Sequence, residues 1–309
     1  MRIVVHGQQA FGKSVLEALL ERGGNVIAVY CAPDPKQGGG RPDPLKEAAL
    51  THNLPVYQPR SLRNQPEVWE AFAQLQADLC VMAYVTLFVP EEMLHLPTHG
   101  TIQYQPSLLP RHRGPSSINW PIIWGETRTG LTIFWPDNGL DTGPILLQKE
   151  VEILDTDTLG SLYFERLYPL GVTATLEAVD LVRADKAPKI AQDEAQATYE
   201  GWCKAENVQI DWHKPLQEVW NLIRGADPQP GAWTTYNGAS VQIYDAKKYP
   251  GTATGQPGEV MSVSDARFTV AAADGQIEVL RVRAAGGQKI SAAAFANGVG
   301  LRAGVQLGG

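Results

Sequence analysis

Cysteine is scarce in this sequence of 309 residues, and the cysteines present form no recognisable pattern. Cys31, Cys80 and Cys203 are odd in number and far apart, and no Cys-x-x-Cys or Cys/His cluster occurs. This spacing argues against a disulfide framework and against a structural zinc site. We therefore predict three buried free thiols in a reducing compartment, and no metal site.

Long apolar runs are also missing. No stretch approaches the roughly 18–20 uninterrupted apolar residues that a membrane span needs. The N-terminal MRIVVHGQQAFG lacks the apolar region and cleavage pattern of a signal peptide. The 30 glycines and 22 prolines follow no period, which argues against collagen-like or low-complexity chains. The sequence therefore predicts a folded cytoplasmic protein without a membrane partner.

Positive charge is in deficit, because 26 Lys and Arg face 33 Asp and Glu, for a net charge of −7. The whole excess lies in residues 1–204, since residues 205–309 hold nine basic and nine acidic residues. A protein that neutralises nucleic-acid phosphates needs a surplus of Lys and Arg on its contact face. The charge balance therefore disfavours a broad nucleic-acid surface.

Short β-rich runs alternate with helical patterns along the first 150 residues. This alternation predicts an α/β fold with a doubly wound, mostly parallel sheet, whose ligands bind at the carboxyl ends of the strands. The expected strands cover residues 2–5, 26–30, 54–57, 78–84, 131–135 and 144–151. Residues 156–184 read as one long helix that is broken near Pro169.

The C-terminal hundred residues show a different pattern, with mostly short strands and one helix. A strand is expected at 208–212 and a helix at 215–224, followed by hairpins whose turns are Asn237-Gly238 and Asp274-Gly275. Several short strands with one helix predict a small, OB-like β-barrel. We therefore divide the chain into an N-terminal domain (1–186), a polar linker (187–207) and a C-terminal domain (208–309).

A glycine-containing turn, Gly7-Gln8-Gln9-Ala10-Phe11-Gly12, follows the first strand and opens a helix. The spacing departs from G-x-G-x-x-G, and no acidic residue ends the second strand. The pattern therefore argues against a dinucleotide site. It fits a tight turn that directs a helix N-terminus towards another ligand.

Two later segments carry the most chemical information. The strand ending in Gln103-Tyr104-Gln105 leads into the proline-bounded loop PSLLPRHRG, and Gly139-Leu140-Asp141-Thr142-Gly143 forms a second loop. A carboxylate between glycines can approach another loop and act as a base or orient water. The alternative is an Asp bonded to its own turn.

Together these segments resemble the formyltransferase family that uses 10-formyltetrahydrofolate. The resemblance runs through the whole chain and includes the proline-rich loop 33–44, Ala197-Thr198-Tyr199, Ile210-Asp211-Trp212 and Gly-Gln-Lys-Ile-Ser. Phe134-Trp135 and the stretch LLQKE most resemble the hydrolase domain of 10-formyltetrahydrofolate dehydrogenase. Methionyl-tRNA formyltransferases show the next strongest resemblance in these segments.

The resemblance implies an acyl-transfer site. An Asn and a His at the end of the strand before SLLP stabilise or protonate a tetrahedral intermediate, and the Asp of GLDTG organises proton movement. On this chain those positions are Gln103, Gln105 and Asp141. Gln103 marks a branch that lacks the Asn. Gln105 stands where the catalytic His is expected, so we predict impaired turnover, because an amide does not exchange protons near neutral pH.

The resemblance also implies where the folate binds, as substrate and product. The pterin is expected against Leu87, Phe88 and Val89 after the fourth strand and against the loop with Asp137, Asn138 and Asp141. For the first of these segments, core packing is the alternative. The formyl group is expected near the loop formed by Ser107, Leu108, Leu109 and Pro110.

Three functions remain open at this stage. The first is a 10-formyltetrahydrofolate hydrolase, or a transferase with a small amine acceptor. The second is a methionyl-tRNA formyltransferase, which the charge balance disfavours without excluding tRNA. The third is a folate-binding protein without activity, which Gln105 motivates.

Overall fold

The computed structural model describes residues 1–34, 41–251 and 254–308, so residues 35–40 of the proline-rich loop lie outside the described part. The strands, in chain order, are β1 (Arg2–Gly7), β2 (Asn25–Tyr30), β3 (Val56–Tyr57), β4 (Leu79–Ala83), β5 (Thr101–Gln105), β6 (Arg128–Phe134), β7 (Ile145–Glu152), β8 (Trp233–Tyr236), β9 (Ala239–Pro250), β10 (Val260–Val263), β11 (Phe268–Ala272), β12 (Gly275–Ala284) and β13 (Lys289–Ser291). The helices are α1 (Gln9–Glu21), α2 (Pro44–Thr51), α3 (Pro66–Gln74), α4 (Glu91–Leu94), α5 (Asn119–Ile123), α6 (Leu159–Ser161), α7 (Tyr168–Arg183), α8 (Leu216–Gly225) and α9 (Ala292–Val299).

The chain forms two compact units that are discontinuous in sequence. The first comprises Met1–Arg113, Gly130–Val151 and Glu165–Tyr199. The second comprises Gly114–Thr129, Glu152–Phe164 and Glu200–Gly309. The domain boundaries at 186/187 and 207/208 stay a prediction.

A mixed sheet forms the centre of the first unit. Its described strands follow the order β3-β2-β1-β4-β5-β6-β7. β1 runs parallel to β2 and β4, and β4 runs parallel to β5, whereas β6 is antiparallel to β5. The order reverses between β1 and β4, which is where open α/β sheets bind ligands. The predicted doubly wound, mostly parallel sheet is confirmed.

Alternation along β1 supplies a core on each face of this sheet. Ile3 and Val5 pack with α1 and α7 through residues such as Leu16 and Val179. Val4 faces the other side and packs with Phe72 of α3 and Met93 of α4. Successive side chains of a strand point to opposite faces, so a strand buried on both sides reads as an apolar run.

The second unit contains a curled antiparallel sheet. Its described strands follow the order β10-β11-β12-β9-β8, with β13 added on β12. Asn237-Gly238 and Asp274-Gly275 lie at the hairpins β8–β9 and β11–β12, as predicted. Trp220 of α8 and Phe295 of α9 pack in the core of this unit. The prediction of a small C-terminal barrel-type domain is confirmed in the form of a half-barrel.

One local prediction was wrong. Residues 208–212 form no strand and make only a bridge from Gln209 to Trp233, because Val208, Ile210 and Trp212 are buried in the core of the second unit without a longer ladder. The long helix expected at 156–184 is present from Leu159 to Arg183, and the interruption expected near Pro169 is a π-helical stretch, Leu162–Leu167, just before that proline. Proline lacks the N–H that a continuous helix requires there.

Two further observations concern the residues that the sequence singled out early. Cys31 and Cys80 are buried, and Cys203 is half-buried, all as free thiols. Burial raises the pKa of the Cys31 thiol to about 11 and that of Cys80 to about 12. In the part of the chain that the structure describes, no helix is both long and apolar enough to cross a membrane.

Candidate functional site

The end of β5 carries the two glutamines that the sequence pointed to. Gln103 and Gln105 are two residues apart on one strand, so their side chains share a face of the sheet. Gln105 is 8% exposed, and Gln103 is half-buried. In the antiparallel ladder Gln105 is paired with Thr132 and Gln103 with Phe134. A buried amide therefore lies at the carboxyl end of a central strand.

The loop after β5, residues 106–110, is held through its backbone by neighbouring side chains. Thr132 Oγ1 donates to the carbonyl of Ser107 at 2.7 Å and accepts from the N–H of Leu109 at 3.1 Å. Gln148 Nε2 donates to the Leu109 carbonyl at 2.9 Å and to Thr132 Oγ1 at 3.0 Å. Sequence reasoning did not find Thr132 and Gln148, because they lie in apparently ordinary strand positions.

The Ser107 side chain differs from the rest of this loop. Its hydroxyl is fully buried and has no hydrogen-bond partner among the described residues. Burying a hydroxyl without a partner costs about 1–3 kcal/mol on protein mutational scales. Leu108 packs on Gly130, where an added Cβ would come within 2.6 Å of the leucine side chain. The loop thus contains a buried hydroxyl, that of Ser107, which makes no hydrogen bond with the described residues.

The loop between β6 and β7 contains Asp137, Asn138 and Asp141. Asp137 Oδ1 accepts from the N–H of Gly139 at 3.0 Å and from the hydroxyl of Thr142 at 2.5 Å, so this carboxylate shapes its own loop. Asn138 is exposed, and its amide donates to a carboxylate oxygen of Glu91 in α4.

Asp141 is 7% exposed and adopts a left-handed backbone conformation with φ of 56°. Gly143, two residues later, closes against Trp135, since an added Cβ would lie 1.8 Å from the Trp135 carbonyl oxygen. Glycine adopts positive φ most readily, and Asn, Asp and His are the other residues enriched there. The loop therefore holds a carboxylate-bearing residue in a sparsely populated backbone conformation that aspartate tolerates better than most residues.

The segment 87–89 after β4 presents two kinds of surface. Val89 is buried and Leu87 half-buried, and both pack in the core against α3 and α4. Phe88 is 46% exposed, and the guanidinium of Arg63 lies 4.4 Å from the centre of its ring. Core packing thus accounts for Leu87 and Val89, whereas Phe88 offers an aromatic face at the carboxyl edge of the sheet.

The turn at residues 7–12 delivers α1, as the sequence suggested, but its N-terminus already has an anion. Both carboxylate oxygens of Asp43 accept from the N–H of Gln9 at 2.9 Å, and one also caps α2 through Leu45 N at 2.9 Å. Phosphates bind helix N-termini through the same N–H groups and the helix dipole. Asp43 occupies that position, which agrees with the departure from the dinucleotide pattern.

His6, at the end of β1, is buried at 4% exposure. Burial lowers the pKa of its imidazole from 6.5 to about 4, because the charged form is poorly solvated there. Its ring lies 6.0 Å from that of Tyr30, edge to face. His6 is therefore neutral near pH 7 and contributes to packing.

Arg113 is the other functional candidate that sequence reasoning missed. Its side chain is 1% exposed, yet its guanidinium bonds to Gln192, to Glu194 and to the hydroxyl of Tyr199 at 2.6–3.1 Å. The carboxylate of Glu194 raises the pKa of Arg113, and the guanidinium lowers the pKa of Glu194. The signal in the sequence was weak, because the partners lie about 80 residues away in a polar, aperiodic segment.

The described residues therefore provide an amide at the last residue of β5, a buried hydroxyl on the loop that follows it and a carboxylate on the loop between β6 and β7. Among them no group of three His, Cys, Asp or Glu side chains is arranged to hold a metal ion. Such a set can polarise a carbonyl and orient a nucleophile through hydrogen bonds.

Comparison with protein families shows which family the chain belongs to. The model for "Formyl transferase" matches residues 1–179, and that for "Formyl transferase, C-terminal domain" matches residues 203–300. The chain belongs to the formyl transferase family. The family resemblance inferred from PSLLP and GLDTG is thus confirmed.

Two curated relatives illustrate the range of the family. The chain is 44% identical over 248 residues to mitochondrial 10-formyltetrahydrofolate dehydrogenase from Mus musculus, covering 79% of this chain but only 26% of that protein. It is 38% identical over 309 residues to methionyl-tRNA formyltransferase from Trichlorobacter lovleyi, covering 99% of this chain and 96% of that protein. The chain therefore spans about a quarter of the dehydrogenase and nearly all of the transferase.

A solved structure shares the fold. HypX from Aquifex aeolicus, in complex with tetrahydrofolic acid, superposes with a TM-score of 0.70 at 19% identity. The match covers 96% of this chain and 47% of that chain. At this identity the likeness establishes the formyltransferase fold.

Proposed function

We propose that this chain is a cytoplasmic one-carbon enzyme that binds 10-formyltetrahydrofolate and passes its formyl group to water or a small amine. Gln105 limits the rate of this transfer. Family membership, the relatives named for 10-formyltetrahydrofolate and the tetrahydrofolic acid bound by HypX support a folate substrate. The observation that carries the proposal is the buried pair of Gln105 and the unpartnered Ser107 hydroxyl at the end of β5.

The proposed chemistry is an acyl transfer. The oxygen of water, or the nitrogen of an amine, attacks the formyl carbon and forms a tetrahedral intermediate. The bond from that carbon to folate N10 then breaks, N10 takes a proton, and formate or a formamide leaves with tetrahydrofolate. In this assignment the Asp141 carboxylate orients the nucleophile and receives its proton.

Gln105 supplies only part of what an imidazole would supply. Its amide N–H can stabilise the oxyanion of the intermediate, a contribution typically worth about 10²–10³ in rate. It cannot deliver a proton to N10, and loss of general acid catalysis typically costs about 10²–10⁴. We assign Gln103 a supporting place on the same face of β5, as a hydrogen-bonding amide.

The folate is assigned to the loops around these residues. Phe88 supplies an exposed aromatic face for the pterin, while Leu87 and Val89 support it from the core. Backbone groups of the loop with Asp137, Asn138 and Asp141 can pair with the pterin edge. The formyl group is placed near the loop formed by Ser107, Leu108, Leu109 and Pro110.

Transfer to methionyl-tRNA is the second candidate, because the relative that this chain matches end to end carries that name. The charges of the second unit speak against it. Several of its cations lie within 4.0 Å of carboxylates, which leaves their charge locally balanced: Lys214, Lys248, Arg267, Arg281 and Lys289. Neutral surfaces bind tRNA phosphates weakly.

A folate-binding protein without turnover is the third candidate, and Gln105 is the observation that favours it. Gln105→His distinguishes it from an impaired enzyme. Both interpretations expect tight folate binding by the unmodified chain, so binding alone does not separate them.

The test is formate release from 10-formyltetrahydrofolate by the unmodified chain and by Gln105→His, with small amines and methionyl-tRNA offered as acceptors in parallel. We expect slow formate release by the unmodified chain and an increase of about 10²–10⁴ in kcat for Gln105→His. Gln58→His, at a half-buried position outside the site, is the matched control and should leave the rate unchanged.

Each other outcome rejects a specific part of the proposal. Equal rates for both chains would show that Gln105 is not limiting. Binding without turnover in both chains would favour the inactive folate binder. Salt-sensitive formylation of methionyl-tRNA at submicromolar concentration would favour the tRNA enzyme.

A further inference from the structure

Residues 188–199, which we call the clasp, were expected to be part of a linker, yet they contact three parts of the first unit. Ile190 and Ile145 exchange backbone hydrogen bonds at 2.7 and 2.9 Å. The indole N–H of Trp135 donates to the carbonyl of Pro188 at 2.9 Å. Near the end of the clasp, Thr198 Oγ1 accepts from the N–H of His112 at 2.8 Å. The clasp thus runs along the loops that hold the candidate site.

Gln192 is the residue of the clasp that reaches the Asp141 loop. Its side-chain Nε2 donates to the carbonyl of Asp141 at 2.9 Å and to that of Gly143 at 2.7 Å. Its Oε1 accepts from Arg113, from Nε at 3.1 Å and from Nη2 at 2.7 Å. One amide therefore bridges the end of the PSLLPRHRG segment and the GLDTG loop.

The neighbours of this amide dictate its orientation. The guanidinium of Arg113 can only donate, and the two backbone carbonyls can only accept. Turning the amide over would place its oxygen against two carbonyl oxygens and its NH₂ against a cation. Four hydrogen bonds therefore depend on a single orientation, which Arg113 fixes from a buried position with 1% exposure.

We propose that Gln192 is a positioning residue, oriented by Arg113, that fixes the backbone of the Asp141 loop and through it the Asp141 carboxylate. The role in turnover rests on the function proposed above, whereas the hold on the loop does not. The physical need for such a hold is the left-handed conformation of Asp141, with φ of 56°. Aspartate tolerates this conformation better than most residues, and contacts from neighbouring groups such as the Gln192 amide favour it further.

Three substitutions on the clasp test this role of Gln192. Gln192→Glu keeps the size and the acceptor for Arg113 but sets a carboxylate oxygen against the carbonyls of Asp141 and Gly143. Gln192→Met keeps the volume without hydrogen bonds. Gln196→Ala is the matched control, since that exposed side chain lies on the same segment and bonds to Asp193 at 2.7 Å rather than to the Asp141 loop.

Two readouts are needed. The first is hydrogen–deuterium exchange of the peptide that contains residues 139–143, which does not require turnover. The second is kcat and KM for 10-formyltetrahydrofolate, measured in the unmodified chain and in the Gln105→His background. We expect Gln192→Glu and Gln192→Met to speed exchange at least tenfold and to lower kcat about 10²-fold, with KM changed less than threefold, because misplacing a reacting group by about 1 Å costs about that much.

The outcomes separate the inference from the proposed function. Exchange that stays as slow as in Gln196→Ala overturns the inference, whatever the kinetics. Faster exchange with an unchanged kcat reduces Gln192 to a structural role and overturns it too. If Gln192→Glu kept the exchange rate and kcat of the unmodified chain, pairing with Arg113 alone would suffice, which would contradict the proposal. If neither background turns over the folate, the proposed function fails, and the exchange data alone decide whether Gln192 holds the loop.

Discussion

The loop after β5 and the clasp solve the problem of holding a polar segment in opposite ways. In the loop, the backbone is held from outside by Thr132 and Gln148, and the Ser107 hydroxyl is left without a partner among the described residues. In the clasp, the side chains of Gln192 and Glu194 bind Arg113 directly. The difference indicates a division of labour, in which side chains are spared for chemistry in one segment and used for position in the other.

The largest expected effect would break the support of the loop. Thr132→Val removes a buried hydroxyl that serves both Ser107 O and Leu109 N, without changing the shape of the side chain. Each backbone group left unsatisfied costs about 1–3 kcal/mol, so unfolding should become easier by about 2–6 kcal/mol. Denaturant unfolding measures this. A loss below about 1 kcal/mol would mean that the loop holds itself, and Thr173→Val on the exposed surface of α7 is the control.

The unfolding free energy should depend on pH through two groups that titrate in different ranges, His6 at the end of β1 and Glu194 in the clasp. Burial lowers the pKa of His6 to about 4, so the folded state resists its protonation. The associated stability is complete above pH 6.5 and is lost as pH falls towards 4, by roughly 3 kcal/mol. The pKa of Glu194 is lowered by Arg113, so its contribution is lost only at more acid pH, through its folded pKa.

Unfolding free energies measured between about pH 7 and pH 4 check this order. His6→Gln should flatten the slope in that interval, whereas the exposed His52→Gln should retain it. A slope that survives in His6→Gln would assign the acid sensitivity to another group.

A smaller effect is expected from Arg113, which binds the clasp. Arg113→Met removes the bonds to Gln192, Glu194 and Tyr199 but leaves no buried charge, because the Glu194 side chain is 69% exposed. Hydrogen bonds to charged groups contribute about 1.5–3 kcal/mol, and we expect a loss of about 1–3 kcal/mol in thermal or denaturant unfolding. Arg60→Met, on an exposed residue, is the control. Equal stabilities of the two variants would contradict the structural role of Arg113.

The smallest effect should have the opposite sign. Ser107→Ala removes a buried hydroxyl that has no partner among the described residues, so the unfolding free energy should rise by about 1 kcal/mol. Ser14→Ala is the matched case, since its hydroxyl bonds to that of Tyr168 at 2.7 Å and its loss should destabilise. If Ser107→Ala destabilises as much as Ser14→Ala, the hydroxyl is part of the fold rather than spared for a ligand.

Hydrophobic periodicity and turn residues in the sequence were enough to predict the helices, strands and hairpins that short-range interactions determine. Alternating strands and helices predicted the doubly wound, mostly parallel sheet, and Asn237-Gly238 and Asp274-Gly275 marked hairpins because those pairs favour the required turns. Residues 208–212 looked like a strand, but their alternating apolar side chains fill a core while their backbone makes only a single bridge to Trp233 of β8. Alternation reports burial on one side and does not by itself supply a neighbour for the backbone.

The residues of the candidate site also fall into those that the sequence predicted and those that only the structure revealed. Gln105 and Asp141 were found because motifs with a chemical meaning surround them in the sequence. Gln192 was not found, because its partners Arg113 and Asp141 lie 79 and 51 residues away. Hydrogen bonds of this range leave no period in the chain, so a residue that positions others through them looks like an ordinary polar residue of a linker.

Asp43 prevents the start of α1 from binding a phosphate, because its own carboxylate occupies that position. Its carboxylate bonds to Gln9 at the start of α1 and to Leu45 at the start of α2, so it ties two helices together at the place where dinucleotide-binding folds receive a phosphate. New glycines in the turn at residues 7–12 would leave that negative charge in place and repel the ligand. A descendant of this chain that bound nucleotides there would first have to replace residue 43 and find another cap for α2.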